Sequence, residues 1–168
     1  MTQQLDYTAS PAKDILHHLF HSGSFMNPAA LLEGLTPEQA STRPEGLPHS
    51  VAEVVAHTHF WLNWVVNIAR GGTPIPTPHA AVGWPEVDAV GWEQLRADFL
   101  EVMGAHQTFT QQELDRPLFT TPHYGWEKHS VGSALADLAV HTAHHLGQVV
   151  TIRQALKLWP PPAGPYTW

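Results

Sequence analysis

The chain runs to 168 residues, enough for one domain that buries roughly 70% of the surface its unfolded form would expose, so it needs no metal or disulfide merely to fold. Eight Lys and Arg against fifteen Asp and Glu leave a net charge of −7, which argues against a nucleic-acid partner, and the absence of cysteine excludes disulfides, iron–sulfur clusters, CxxC redox chemistry and thiolate zinc sites. Met1 to Ser10 carry neither a basic nor an apolar leader and no apolar run reaches about 18 residues, so a soluble, cytoplasmic protein with no membrane partner is expected.

Helix signals follow one another along the chain. Ser10 before Pro11 reads as an N-cap with proline at the first helical position, and Ile15, Leu16, Leu19 and Phe20 recur at helical spacing to about His21. Gly23 interrupts; Ser24 is placed to cap a continuation through Ala29, Leu31 and Leu32, which Gly34 and Pro37 end. Thr36 to Pro48 reads as a loop with at most one helical turn.

The second long helix is expected over 50–70. Ser50 and Glu53 form a capping box ahead of a stripe of Val54, His57, Trp61, Trp64, Val65 and Ile68, and Gly71 and Gly72 close it. Residues 71–87, with Pro74, Pro76, Pro78 and Pro85, form a long semi-rigid connection. A third helix is expected from Asp88 to about Gln112, then a second long loop over 113–130 with room for a short hairpin. The fourth starts at Ser130 and carries Leu135, Leu138, His141, His145, Val149, Ile152 and Leu156 before Pro160 to Pro162. The pattern predicts an all-α, single-domain four-helix bundle over 1–168 with long crossover connections.

Thirteen histidines in so short a chain make their positions informative. His141 and His145, four apart, project from one helical face and can reach one ion; Gln148 lies a further turn along that side. His144 can also pair with His141 at three apart, but it sits about 100° around the axis from His145, so the three cannot all converge and one of the two adjacent histidines reads as a bystander or as a support behind the ligands. On the second helix His57 and His59 differ by about 200°, and only His57 shares the apolar stripe, so His59 is expected to face outward or toward a partner. Three inward imidazoles are either ordinary hydrogen-bonded core groups or ligands of an ion, and burying all three with neither is costly. His17, His18 and His21 on the first helix offer another candidate pair, His17 and His21, but on a short amphipathic helix they read as surface or interface residues, while His49, His79, His106, His123 and His129 look solvated.

Other bundle and motif chemistries find no support. No Glu-x-x-His, His-Glu-x-x-His, Gly-x-Ser-x-Gly, Walker loop or Gly-x-Gly-x-x-Gly occurs, which sets aside di-iron carboxylate, metzincin, serine-hydrolase, NTPase and Rossmann readings.

With Pro48-His49-Ser50 leading to Val54-Val55-Ala56-His57, with His141-Thr-Ala-His-His145-Leu-Gly-Gln148, and with four helices in matching order, the chain resembles the DinB-like (DinB/YfiT-like) superfamily over nearly its whole length. The resemblance implies a four-helix bundle, often homodimeric, with one divalent ion, commonly zinc or nickel, on His57, His141 and His145 and with open water positions. Manganese and iron are chemically compatible with the same donors. Some relatives are thiol-dependent transferases, so the expected partner is a small-molecule substrate, including a low-molecular-weight thiol. Two function classes stand: a metal-dependent transferase or hydrolase, and a non-catalytic metal-binding or stress-response bundle whose ion is structural. In the enzyme, Glu53 is the candidate acceptor behind His57 or base, Gln148 the candidate holder of water or substrate, and Trp84, Tyr124 and Trp126 the candidate pocket walls.

Overall fold

The computed structural model describes residues 9–21 and 27–165, apart from the side chains of His21 and Ala80. Ser24 as a cap and His21 as a partner of His17 lie outside that description.

Seven α-helices and no named strand make up the described residues: α1 (Lys13–His21), α2 (Pro28–Leu32), α3 (Pro37–Ser41), α4 (Val51–Ala69), α5 (Trp92–Gly104), α6 (Gln111–Leu114) and α7 (Val131–Ala155). The all-α expectation holds. Helix α4 packs on α7 and on α5, α1 packs on α7, and a 3-10 turn at Ala105–Thr108 closes the ring against α1. No helix among the described residues is long and apolar enough to cross a membrane.

Side-chain caps set most of the helix starts. Ser50 accepts from the Glu53 amide while Glu53 reaches back to the Ser50 amide, starting α4 as its sequence predicts. Ser130 caps α7 by accepting from the Ser133 amide. Asn27, with Pro28 behind it, caps α2, and Thr36 with Gln39 caps α3, the single helical turn expected in that loop.

Three boundaries differ from the sequence reading. Helix α1 begins at Lys13, because its first backbone bonds run to the Ala12 carbonyl rather than to Ser10. Asp88 turns the chain by accepting from the Gly91 amide, so α5 starts only at Trp92. It ends at Gly104 because Thr110 and Glu113 form a capping box of their own that starts α6. In place of a hairpin, the second loop carries one antiparallel bridge, Pro117 to Ser130.

The core forms around α4. Its buried residues include Val51, Ala52, Val55, Leu62 and Val66 as well as the predicted stripe except Ile68, which is half-buried, so the helix is covered on several sides and not along one face. Trp92, fully buried, donates its indole N–H to the Leu35 carbonyl, which satisfies the polar end of a large apolar group. Arg153, 2% exposed, donates to the carbonyls of Leu31, Glu33 and Leu158 and so ties α2 and the segment after α7 to the end of α7.

His106 is a core residue and not a solvated one. It is 1% exposed, its ring stacks on Phe20 at 4.7 Å, and its Nδ1–H donates to the Met103 carbonyl at 3.0 Å. The 3-10 turn after α5 directs this position at α1.

Candidate metal centre

His57 from α4 and His141 and His145 from α7 meet where the two helices pack. Their helical phase brings them there. His57 and His145 are 4% and 7% exposed, and His141 is half-buried. The candidate ligand atoms of the three lie within 4.8 Å of one another. Nε2 of His141 stands 3.2 Å from Nε2 of His57 and 3.1 Å from Nε2 of His145.

The outer nitrogens fix which ring atom faces inward. His57 Nδ1–H donates to the Gly83 carbonyl at 2.6 Å, and His145 Nδ1–H donates to Oε1 of Gln148 at 2.8 Å. Each ring therefore turns an unprotonated Nε2 toward His141. Burial holds all three imidazoles below their ordinary range. For His57 the Gly83 bond opposes burial and the charges of His145 and His49 add to it, with a result of about 4. His141 is also pushed to about 4, by burial first and then by His145, His57 and His144. Burial lowers His145, opposed by its bond to Gln148.

These donors fit a divalent ion. His141 carries one proton for two facing lone pairs, and its own Nδ1 is buried with no hydrogen-bond partner, so protons alone leave at least one nitrogen unsatisfied. Two imidazole nitrogens bound tetrahedrally at about 2.0–2.1 Å from one ion stand roughly 3.3 Å apart, close to the spacings found. The outer acceptors Gly83 and Gln148 are the kind of support that orients metal-bound histidines.

The connection between α4 and α5 supplies the support that its sequence does not announce. Its 3-10 turn, Ala80–Gly83, delivers the Gly83 carbonyl, and the next residue, Trp84, stacks flat on His57 at 3.9 Å and 11°. His49 covers the other face of that indole at 4.0 Å and 13°, so His49 is part of the site and not solvated. His123 is likewise engaged, stacked on Phe119 at 4.1 Å.

Two predicted roles change. The Glu53 carboxylate pairs with Arg43, whose Nε donates at 2.9 Å, and accepts from the Ser50 amide. The Arg43 bond holds its carboxyl down at about 2. Gly83, not Glu53, stands behind His57. Gln148 holds the His145 ring through its Oε1, because three residues along a helix bring its amide to Nδ1, so it orients a candidate ligand.

His144 is exposed on α7, and His59 is half-buried on a different face of α4, where it lines cavities with Asn63. Burial lowers His59, opposed by Asp98.

A cavity of about 590 Å³ opens over the three histidines. Trp84, Tyr124 and Trp126 line it, as their loops suggested, and so does Asp137. Asp137 escaped the sequence reading although it sits four residues before His141, at the same helical phase.

The sequence profile of the DinB superfamily matches residues 23–149, a span that contains all three histidines. No curated protein and no solved structure matches the chain.

Proposed function

Since the chain belongs to the DinB superfamily, we propose that it is a divalent-metal-dependent enzyme acting on a small molecule, either a thiol-dependent transferase or a hydrolase. The observation that carries this reading is the cavity: the three histidines face about 590 Å³ of accessible space, and among the described residues no fourth His, Asp or Glu joins them within ligand reach. Catalytic metal sites have that form, three protein ligands and room beside them, whereas structural sites are closed by four. His57, His141 and His145 would hold the ion, with zinc or nickel first and manganese or iron next among the metals compatible with nitrogen donors. Bound there, the ion supplies Lewis acidity, which lowers the pKa of an incoming thiol or water.

The chain's own residues prepare that chemistry. Gly83 and Gln148 hold the Nδ1 protons outward and so keep Nε2 of His57 and His145 free to donate an electron pair. Trp84 excludes water from one face of His57. Elemental analysis of untagged protein after growth in metal-supplemented medium tests the ion; less than about a tenth of an equivalent of any transition metal overturns the reading. Turnover of low-molecular-weight thiols with electrophiles, or of esters and amides, tests the chemistry, and a His57→Ala protein as fast as wild type would remove the metal from it.

A second reading keeps the ion and drops the reaction. The ligands join α4 to α7, the pair with the most extensive contact in the fold, so an ion there would also brace the bundle. Metal that raises the melting temperature while every substrate class stays silent favours this role. Our reading also takes the protein to be a cytoplasmic homodimer; sedimentation at micromolar concentration giving only an 18.6 kDa species rejects the dimer.

A further inference from the structure

The walls of the cavity carry information about charge. No Lys or Arg lines it among the described residues, and Asp137 is its one carboxylate. Asp137 makes no salt bridge there: the two ion pairs among the described residues, Arg43–Glu53 and Arg96–Glu93, do not involve it. Its place on α7 is one turn before His141, about 6 Å along the helix axis from that residue and about 12 Å from His145. The chain as a whole carries −7, which adds a long-range field of the same sign. Among the side chains of these walls an anionic group meets no permanent cation, only the imidazoles, His79 at the rim and the Thr77 hydroxyl.

Two further side chains point to an occupant. Thr77 is 5% exposed, its hydroxyl has no hydrogen-bond partner, and it lines the same cavity. A buried hydroxyl left unpaired is costly, and a ligand atom in the cavity would satisfy it. Tyr124, 62% exposed at the cavity wall, adds an aromatic ring of the kind that attracts cations. Trp84 is not available for that purpose, since His49 and His57 cover both of its faces.

We propose that the cavity takes a small molecule with an electron-pair donor at one end and a positive charge at the other, an amine or quaternary ammonium, and that Asp137 selects the charge. The inference rests on the reading of the histidine cluster as an open metal site: the donor end lies toward His57, His141 and His145, and the cationic end lies toward Asp137 and Tyr124.

The test compares choline with 3,3-dimethyl-1-butanol, which has the same shape and no charge, binding to the zinc-loaded full-length protein by titration calorimetry. A carboxylate at this range in a partly solvated cavity is expected to favour choline by about tenfold. Asp137→Asn should bring the two ligands within about twofold while zinc content stays unchanged, and Tyr124→Ala should weaken choline more than the alcohol. Equal binding of the two ligands, a preference for the alcohol, no choline binding at about 50 mM, or a preference that survives Asp137→Asn each overturns the proposal. Elemental analysis reads the ion separately. A protein that holds zinc without a charge preference loses this inference alone, and one that binds no zinc loses the metal reading, while the same pair of ligands on the metal-free protein still decides the role of Asp137.

Discussion

Gly83 lies so close to Trp61 that a Cβ at that position would collide with the indole nitrogen and its neighbouring ring carbon. The same residue's carbonyl holds the His57 ring, so the contact sets the distance at which the 3-10 turn meets the histidine cluster. Gly83→Ala is expected to displace the carbonyl and lower zinc affinity by about 10–100-fold, with helix content unchanged by circular dichroism. Competition with a chelator measures it, and wild-type affinity in the variant would show that the Gly83 carbonyl does not orient His57.

The three imidazoles are not equivalent to their neighbours. His57→Ala, His141→Ala and His145→Ala should each abolish stoichiometric metal binding, whereas His144→Ala and His59→Ala should retain at least part of it: His144 touches the His145 ring from outside, and neither residue brings a nitrogen into the cluster. A metal-free His144→Ala protein beside a fully loaded His145→Ala protein would mean that the wrong pair on α7 has been chosen.

Gln148 accepts from His145 through its Oε1 atom. Replacing it by Leu leaves a buried N–H unpaired and frees the ring to present the wrong nitrogen, so affinity should fall by about tenfold or more. Gln148→Glu keeps an acceptor and should restore most of it. If Leu and Glu behave alike, the hydrogen bond is not what orients His145.

Acid should act on Arg43 and Glu53. The carboxyl is depressed from 4.5 to about 2 in the folded protein, first by its bond to Arg43, so its contribution to stability is complete above about pH 4.5 and is lost as pH falls toward 2. Because Arg43 is largely exposed, the contribution is modest. The difference in melting temperature between wild type and Glu53→Gln should therefore stay level above pH 4.5 and shrink below it; a difference that grows on acidification reverses the assignment.

His106 belongs to the core. Truncation to Ala removes the ring that stacks on Phe20 and should cost about 2–4 kcal/mol of stability in denaturant titration while leaving metal stoichiometry at the wild-type value. Loss of the metal without loss of stability would contradict this placement.

The histidine cluster was legible because helical phase is local. Ser50 and Ser130 announce where α4 and α7 start, and from those starts the spacings of His57, His141 and His145 follow. Asp137 was equally legible by the same spacing. The Thr110 and Glu113 capping box also stands in the sequence and would have ended α5 early. What sequence could not supply is contact between distant segments. A proline-rich stretch has no period, so nothing in it marks Gly83 as the residue that reaches His57, 26 positions earlier. Glu53 likewise looks inward by phase, yet Arg43 in the preceding loop turns its carboxylate away.

Arg153 carries a consequence for how the molecule opens. Its guanidinium joins carbonyls near residues 31–33 to one at Leu158, and burial lowers its pKa without removing its charge at neutral pH. Peeling away either segment breaks its carbonyl bonds and leaves a cation without enough acceptors among apolar side chains, a state worse than detaching both. The early short helix and the stretch after the last one, more than a hundred residues apart in sequence, are therefore one opening unit: their amides should exchange with solvent deuterium at a common rate, and Arg153→Met should split that rate into two.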